Sequence, residues 1–339
     1  MTVSDGIVSA VREIENFGRI IQLTAAISPG SSGSPVVNMN GEVVGVATFF
    51  IMGGQSLNFA IPGERITRLL SGKGMPLSEW TSSKVSQEMA LAEEYYTVGL
   101  RHLWIADYEK ALGFFIEAVK RYRDYAAAYF QIGYCESRLG NYPVAVEAYR
   151  QAIRLKPEEA DTHNNLCAIH NKLRNFDEAI VSCKKAISLN GRLAEAYNNL
   201  AWSYLNLKRY PESIELCNQA IQMKPDYGLA YYNLGNNYLS LKRFEDAAQS
   251  FKQAIRFNTD HVESHLNLAV TYQELGRYEL AIDGYKQVIR MKPEFPEAHL
   301  NLGMTYLKLG DKGAALDEYK ILKNLNKDFA DNLFKLIYE

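Results

Sequence analysis

The residue types that could do chemistry are unevenly spread over the 339 residues of this chain. One loop, Ser28-Pro29-Gly30-Ser31-Ser32-Gly33-Ser34-Pro35, concentrates hydroxyls and glycine. A serine hydroxyl is a weak nucleophile until a neighbouring base takes its proton. All six histidines (102, 163, 170, 261, 265 and 299) lie far downstream of that loop, and the first ninety residues hold one aspartate, Asp5. There are four cysteines, but no CxxC pair, and no HExxH, EF-hand or phosphate-loop pattern occurs. No metal site and no cofactor is therefore expected. A second set of groups is a row of amides at constant spacing: Asn165, Asn199, Asn233, Asn267 and Asn301. Such a row can donate to and accept from the backbone of an extended peptide, at a net ~0.5–1.5 kcal/mol per bond.

The spacing of the amides belongs to a longer pattern. Frames starting at 92, 126, 160, 194, 228, 262 and 296 align without an insertion, giving seven repeats of 34 residues over 92–329. Position eight is always small (Gly99, Gly133, Cys167, Ala201, Gly235, Ala269, Gly303), and position twenty is Ala or Ser. Small residues at fixed register let two helices approach closely, with larger neighbours such as Leu166, Leu200 and Leu234 closing the rim. Leu139-Gly140-Asn141 and Leu275-Gly276-Arg277 read as turns between the helices of a pair, and Pro157, Pro225 and Pro293 punctuate the ends of second helices. Leu333 and Leu336, at helical spacing, make 330–339 a capping helix. His163, His265 and His299 at position four, and Cys167, Cys183 and Cys217 at positions eight and twenty-four, fall in core slots, which favours packing roles over metal or thiol chemistry.

This pattern resembles the tetratricopeptide repeat. The resemblance implies a mainly α fold: a right-handed superhelix, or α-solenoid, of seven helix pairs plus a cap. It also implies a concave groove lined by the first helix of each pair. There the amide row would meet Tyr96, Phe130, Tyr134, Trp202 and Tyr232, which either line the groove or pack between repeats. Protein or extended peptide is the implied ligand. Position five carries no Lys, so the acidic chaperone C-termini that some family members clamp are not the expected partner.

The first seventy residues have another texture. Runs at 3–11, 18–23, 35–38 and 43–50 are rich in β-branched residues, and Met39-Asn40-Gly41 is a hairpin signal. A helix is expected at 63–70. The loop at 28–35, with TVSDGIVSA at 2–10, QLTAAI at 22–27, NGEVVGVAT at 40–48 and NFAIP at 58–62, resembles the second half of a trypsin-fold serine protease of the HtrA type. The resemblance implies a partial antiparallel β-barrel, a nucleophile at Ser32, and an oxyanion hole formed by the backbone N–H groups of Gly30 and Ser32. Phe59 and Ala60 would lie on a strand near the substrate pocket. Ser31, Ser34 and Thr24 depart from the family pattern, and no His precedes Ser32. The chain as given is therefore expected to be inactive as a protease, either as a piece of a longer protease–repeat protein or as a repurposed remnant.

Composition bounds the rest. A net charge of −2 offers no broad basic field for nucleic acid. The longest apolar stretch, 43–52, is too short to span a bilayer, the first residues show no secretory signal, and localisation and oligomeric state stay open. Residues 71–91 read as a linker. The resulting expectation is a protein-interaction scaffold carrying an incomplete trypsin-like module at 1–70; the alternative is a piece of an HtrA-like endopeptidase whose repeats recruit substrates.

Overall fold

The computed structural model describes residues 8–14, 18–23, 35–37, 43–52, 55–62 and 84–338. The chain forms two compact units, Met1–Gln87 and Glu88–Glu339. Among the described residues of the first, five strands form one antiparallel sheet: β1 (Val8–Ile14), β2 (Gly18–Leu23), β3 (Pro35–Val37), β4 (Val43–Met52) and β5 (Gln55–Pro62). Their order is β1-β2-β5-β4-β3. The branched and aromatic residues of Val43–Met52 suit a pleated surface, and β4 is the longest strand. β5 lies between β2 and β4, with Phe59 opposite Gln22 and Thr48, and Ala60 opposite Ile21 and Ala47. Residues 28–34 of the serine-rich loop with Gly30 and Ser32, the Met39–Gly41 turn and the expected helix at 63–70 lie outside the described residues, as do parts of the barrel.

The second unit is helical. Its helices pair as α1 (Lys84–Trp104) with α2 (Tyr108–Arg121), α3 (Ala126–Arg138) with α4 (Tyr142–Leu155), and α5 (Ala160–Lys172) with α6 (Phe176–Leu189). Next come α7 (Ala194–Asn206) with α8 (Tyr210–Met223), and α9 (Gly228–Ser240) with α10 (Phe244–Phe257). The last pairs are α11 (Val262–Glu274) with α12 (Tyr278–Met291), and α13 (Pro296–Lys308) with α14 (Lys312–Leu325), followed by α15 (Lys327–Tyr338).

One backbone feature recurs in every pair. Position fifteen is left-handed in all seven repeats, with φ from 57 at Ala106 to 85 at Gly140. The next residue donates back across the turn, as Asn141 N–H does to the Glu136 carbonyl at 2.9 Å and Arg277 N–H to the Tyr272 carbonyl at 2.9 Å. This 6→1 bond closes the first helix and reverses the chain. Glycine adopts the conformation freely at Gly276, whereas Arg174, Lys208 and Lys242 adopt it with a Cβ that crowds the following carbonyl.

Packing follows from the small positions. A methyl added to Gly99 or Gly235 would lie 2.6 Å from the ring of Phe115 or Phe251, and one on Gly133 would lie 2.8 Å from Tyr149. Position eight therefore sits directly under the ring at position twenty-four, and both are buried. Gly303 meets Leu333 of α15 instead, which is how the cap docks. α15 buries Ala330, Leu333 and Ile337 but leaves Leu336 exposed, so Ile337 fills the role expected of Leu336. The cap begins at Lys327, ahead of residue 330, because the Asn326 side chain accepts from Phe329 N–H at 3.1 Å and starts the helix there. Likewise α1 begins at Lys84, inside the stretch expected as linker, since Gln87-Glu88-Met89-Ala90-Leu91-Ala92 is made of strong helix formers.

If position fifteen sets the turn, Gly276→Ala destabilises the array by about 1–2 kcal/mol, whereas Lys208→Gly is neutral or stabilising by up to about 1 kcal/mol. Denaturant midpoints read both; a neutral Gly276→Ala or a destabilising Lys208→Gly would contradict the turn account.

Candidate binding site

First helices of successive repeats touch one another, α5 with α7 and α7 with α9, while each second helix lies against first helices. The first helices thus form the inner layer of the stack, and positions five and six belong to it. Position six is largely occupied with its neighbours. Asn199 donates to Asn164 Oδ1 at 2.9 Å, Asn233 to Asn198 Oδ1 at 2.8 Å, and Asn267 to Asn236 Oδ1 at 2.7 Å. Asn233 is only 5% exposed, so its amide is a strut between α7 and α9 rather than a group on offer. Asn165, Asn199, Asn267 and Asn301 are half-buried. For Asn199 and Asn267, which donate to a neighbour, what is left to a ligand is chiefly the carbonyl oxygen.

The aromatics of position five rest on those of position twenty-four. Ring centroids are 5.4 Å apart for Tyr96 and Phe115, 5.8 Å for Phe130 and Tyr149, and 6.1 Å for Tyr232 and Phe251. Where position twenty-four is Cys183 or Cys217, position five is Asn164 or Asn198, and these amides accept the struts just described. The aromatics pack within their own repeats and, for Tyr96 and Phe130, also on clusters that include residues of the next repeat, yet all remain half-buried, as do Tyr134 and Trp202. Burial pushes the Tyr96 and Tyr232 hydroxyls above the usual phenol range, so both are neutral donors at any physiological pH.

Two of these residues share a cleft of about 200 Å³. Tyr96 and Phe130 form its walls, Ala126, Ala127 and Ala152 leave the space, and Lys156, Glu159, Asp161 and Thr162 make a polar rim. The other aromatics and amides are distributed further along the array. The rim residues Lys156, Glu159, Asp161 and Thr162 carry no local signal in the sequence; Ala126 and Ala127, beside Tyr96 and Phe130, are what leave the space. An apolar floor with mixed charge around it suits one side chain of a peptide together with its backbone. Gly30 and Ser32 lie outside the described residues. Among the described residues, no group of three or more His, Cys, Asp or Glu is placed to hold a metal ion, and no helix is long and apolar enough to cross a membrane.

The position-four histidines do more than pack. His163 Nε2 lies 2.9 Å from the Pro157 carbonyl, His265 Nε2 2.9 Å from that of Thr259, and His299 Nε2 2.9 Å from that of Pro293. Tyr197 makes the same link to Gly191 at 3.2 Å. A polar tip at position four thus ties down the loop that enters each first helix, which an aromatic-slot reading of the histidines missed. His299 also places Nδ1 2.6 Å from Glu318 Oε2. Both ring nitrogens then face acceptors, an arrangement that needs two N–H groups and so an imidazolium. Its pKa is raised, first by the Glu318 bond.

The family models locate these features. The TPR repeat model matches 138–173 and 272–310. Tetratricopeptide repeat models match 160–192, 192–260, 250–283 and 296–328. Together they run without a gap from 138 to 328, more than half of the chain. The chain belongs to the tetratricopeptide-repeat family.

A solved tetratricopeptide repeat protein from Parabacteroides merdae superimposes on 74% of this chain and all of its own, with a TM-score of 0.59 at 15% identity, which speaks for the fold alone. Residues 1–46 match a trypsin-like peptidase domain. Over 77 residues the chain is 46% identical to human serine protease HTRA3 and 40% identical to the periplasmic serine endoprotease DegP of Escherichia coli K12. These segments are 21% of this chain and only 17% and 16% of the two proteases, so the chain spans a small part of the curated relatives it matches. This tetratricopeptide-repeat protein thus carries an HtrA-like segment ahead of its array.

The His299 arrangement yields a pH prediction. A group whose folded pKa exceeds its unfolded value of about 6.5 contributes fully below that value and loses the contribution as pH rises through the folded pKa. His170 and His261, whose pKa values burial lowers, act in the opposite sense. The stability difference between wild type and His299→Gln isolates the first effect: it should be largest below about pH 6.5 and shrink as pH rises. A difference independent of pH would contradict the imidazolium.

Proposed function

We propose that this protein is an interaction scaffold that binds a protein or extended peptide along its row of first helices, and that the HtrA-like segment is catalytically silent in the chain as given. The observation that carries the reading is the cleft walled by Tyr96 and Phe130. It is an open apolar site with a polar rim, on the layer where the half-buried Asn165, Asn199, Asn267 and Asn301, Tyr134, Trp202 and Tyr232 continue the surface. The side-chain carbonyls of Asn199 and Asn267 supply acceptors for peptide N–H groups, and the aromatics supply buried contact area. In this account Asn233 positions its neighbours and does not touch the ligand.

A second reading rests on the identity to HTRA3 and DegP. In a longer polypeptide that supplies the His and Asp, Ser32 would act as nucleophile with the N–H groups of Gly30 and Ser32 as oxyanion hole, and the array would recruit substrate proteins. One preparation of the full chain tests both readings. Tyr96→Ala with Phe130→Ala should weaken binding to the tightest peptides selected from a displayed random library by ten-fold or more, with circular dichroism unchanged. A fluorophosphonate probe should leave the chain unlabelled. Unchanged peptide affinity sinks the cleft, and labelling that Ser32→Ala abolishes sinks the claim of silence.

A further inference from the structure

The contact between positions eight and twenty-four is filled by a glycine and a ring in repeats one, two and five. Repeat three departs from that rule at both positions. Cys167 and Cys183 are both small, their Cα atoms are 5.3 Å apart, and a disulfide joins them across α5 and α6. Neither is exposed. This corrects the packing role expected for the pair from sequence, where a separation of 16 positions and different helices hid their proximity.

We propose that Cys167–Cys183 is a redox-operated staple that replaces the missing ring and sets the α5–α6 distance in the middle of the array. Two unbonded thiols keep van der Waals separation and cannot fill the slot as a ring does, so the helix pair relies on the covalent link. The link also reaches the next repeat. Asn171 Nδ2 lies 3.9 Å from Cys167 Sγ and donates to the Asn199 carbonyl at 2.8 Å, while Ser203 Oγ donates to Asn171 Oδ1 at 2.7 Å. Reduction therefore loosens the seam between α5 and α7, the helix that carries Asn199 and Trp202. The staple stands independently of whether those two residues bind a ligand.

The chemistry is thiol–disulfide exchange. Closing the staple, the two cysteine thiols give two electrons and two protons to a small disulfide R–S–S–R, which leaves as two R–SH. Opening it, a dithiol's thiolate attacks one sulfur to form a mixed disulfide, and its second thiol displaces the cysteine, leaving two protein thiols and an oxidised dithiol. With both sulfurs buried, attack waits on separation of α5 from α6, so reduction should be at least about ten-fold slower in native protein than in denaturant. The other two cysteines do not compete: Cys135 and Cys217 are buried thiols whose pKa values burial pushes up to about 12.

The test has two parts on the full chain. After equilibration with oxidised glutathione, alkylation under denaturing conditions and peptide mapping should modify Cys135 and Cys217 and spare Cys167 and Cys183; modification of all four overturns the proposal. Complete reduction, followed by mass, should then lower the thermal midpoint of wild type by several degrees. It should leave unchanged a Cys167→Gly, Cys183→Tyr variant, which restores the glycine-and-ring pair seen at Gly133 and Tyr149. A Cys167→Ala, Cys183→Ser variant should already melt at the reduced wild-type midpoint. No fall in wild type, or an equal fall in all three proteins, overturns it.

Discussion

How near the two helices of a pair can come decides most of what this structure does. The distance is set where position eight passes beneath position twenty-four, with no room for even a methyl on Gly99, Gly133 or Gly235. A ring pressed on a bare backbone makes many dispersion contacts and excludes water from the pair's centre. Seven pairs then stack, each covering the apolar side that the previous one leaves bare, and α15 ends the series by placing Leu333 over Gly303. Each repeat is stabilised chiefly by its own contact and its two neighbours, so a change in one repeat is felt locally.

The same contact explains the character of the inner layer. Where a ring stands at position twenty-four, an aromatic or leucine stands at position five: Tyr96, Phe130, Tyr232, Leu266 and Leu300. In the two central repeats, where Cys183 and Cys217 replace the ring, asparagine replaces the aromatic, and the layer is joined by amide struts. The array is thus apolar towards its ends and polar in its middle. The Tyr96–Phe130 cleft lies in the first apolar stretch and the disulfide in the polar one.

Much of the fold was legible because it is written in residue size. The 34-residue frame, the small positions and the turns at Gly140 and Gly276 follow from what a close helix pair demands. What stayed hidden depends on partners distant in sequence. Nothing local distinguishes Arg174, Lys208 and Lys242 as left-handed, since the turn geometry is imposed by the pair they connect. Asn233 looks like Asn267, yet one is buried beneath Asn198 and the other half-exposed beside Asn236. The histidine tethers and the Cys167–Cys183 bond are likewise invisible to a reading that assigns each slot a size but not a hydrogen-bond or covalent partner.

The central claim is that complementary size at positions eight and twenty-four holds together the pairs in which a glycine meets a ring. A double-mutant cycle in repeat five tests it most directly, using Gly235→Ala, Phe251→Leu and the two combined, with urea denaturation as readout. The account predicts that Gly235→Ala alone is destabilising by about 1–3 kcal/mol through overpacking, and that Phe251→Leu in the same chain relieves part of that cost, giving a coupling of at least about 0.5 kcal/mol. Strictly additive effects of the two substitutions would contradict it.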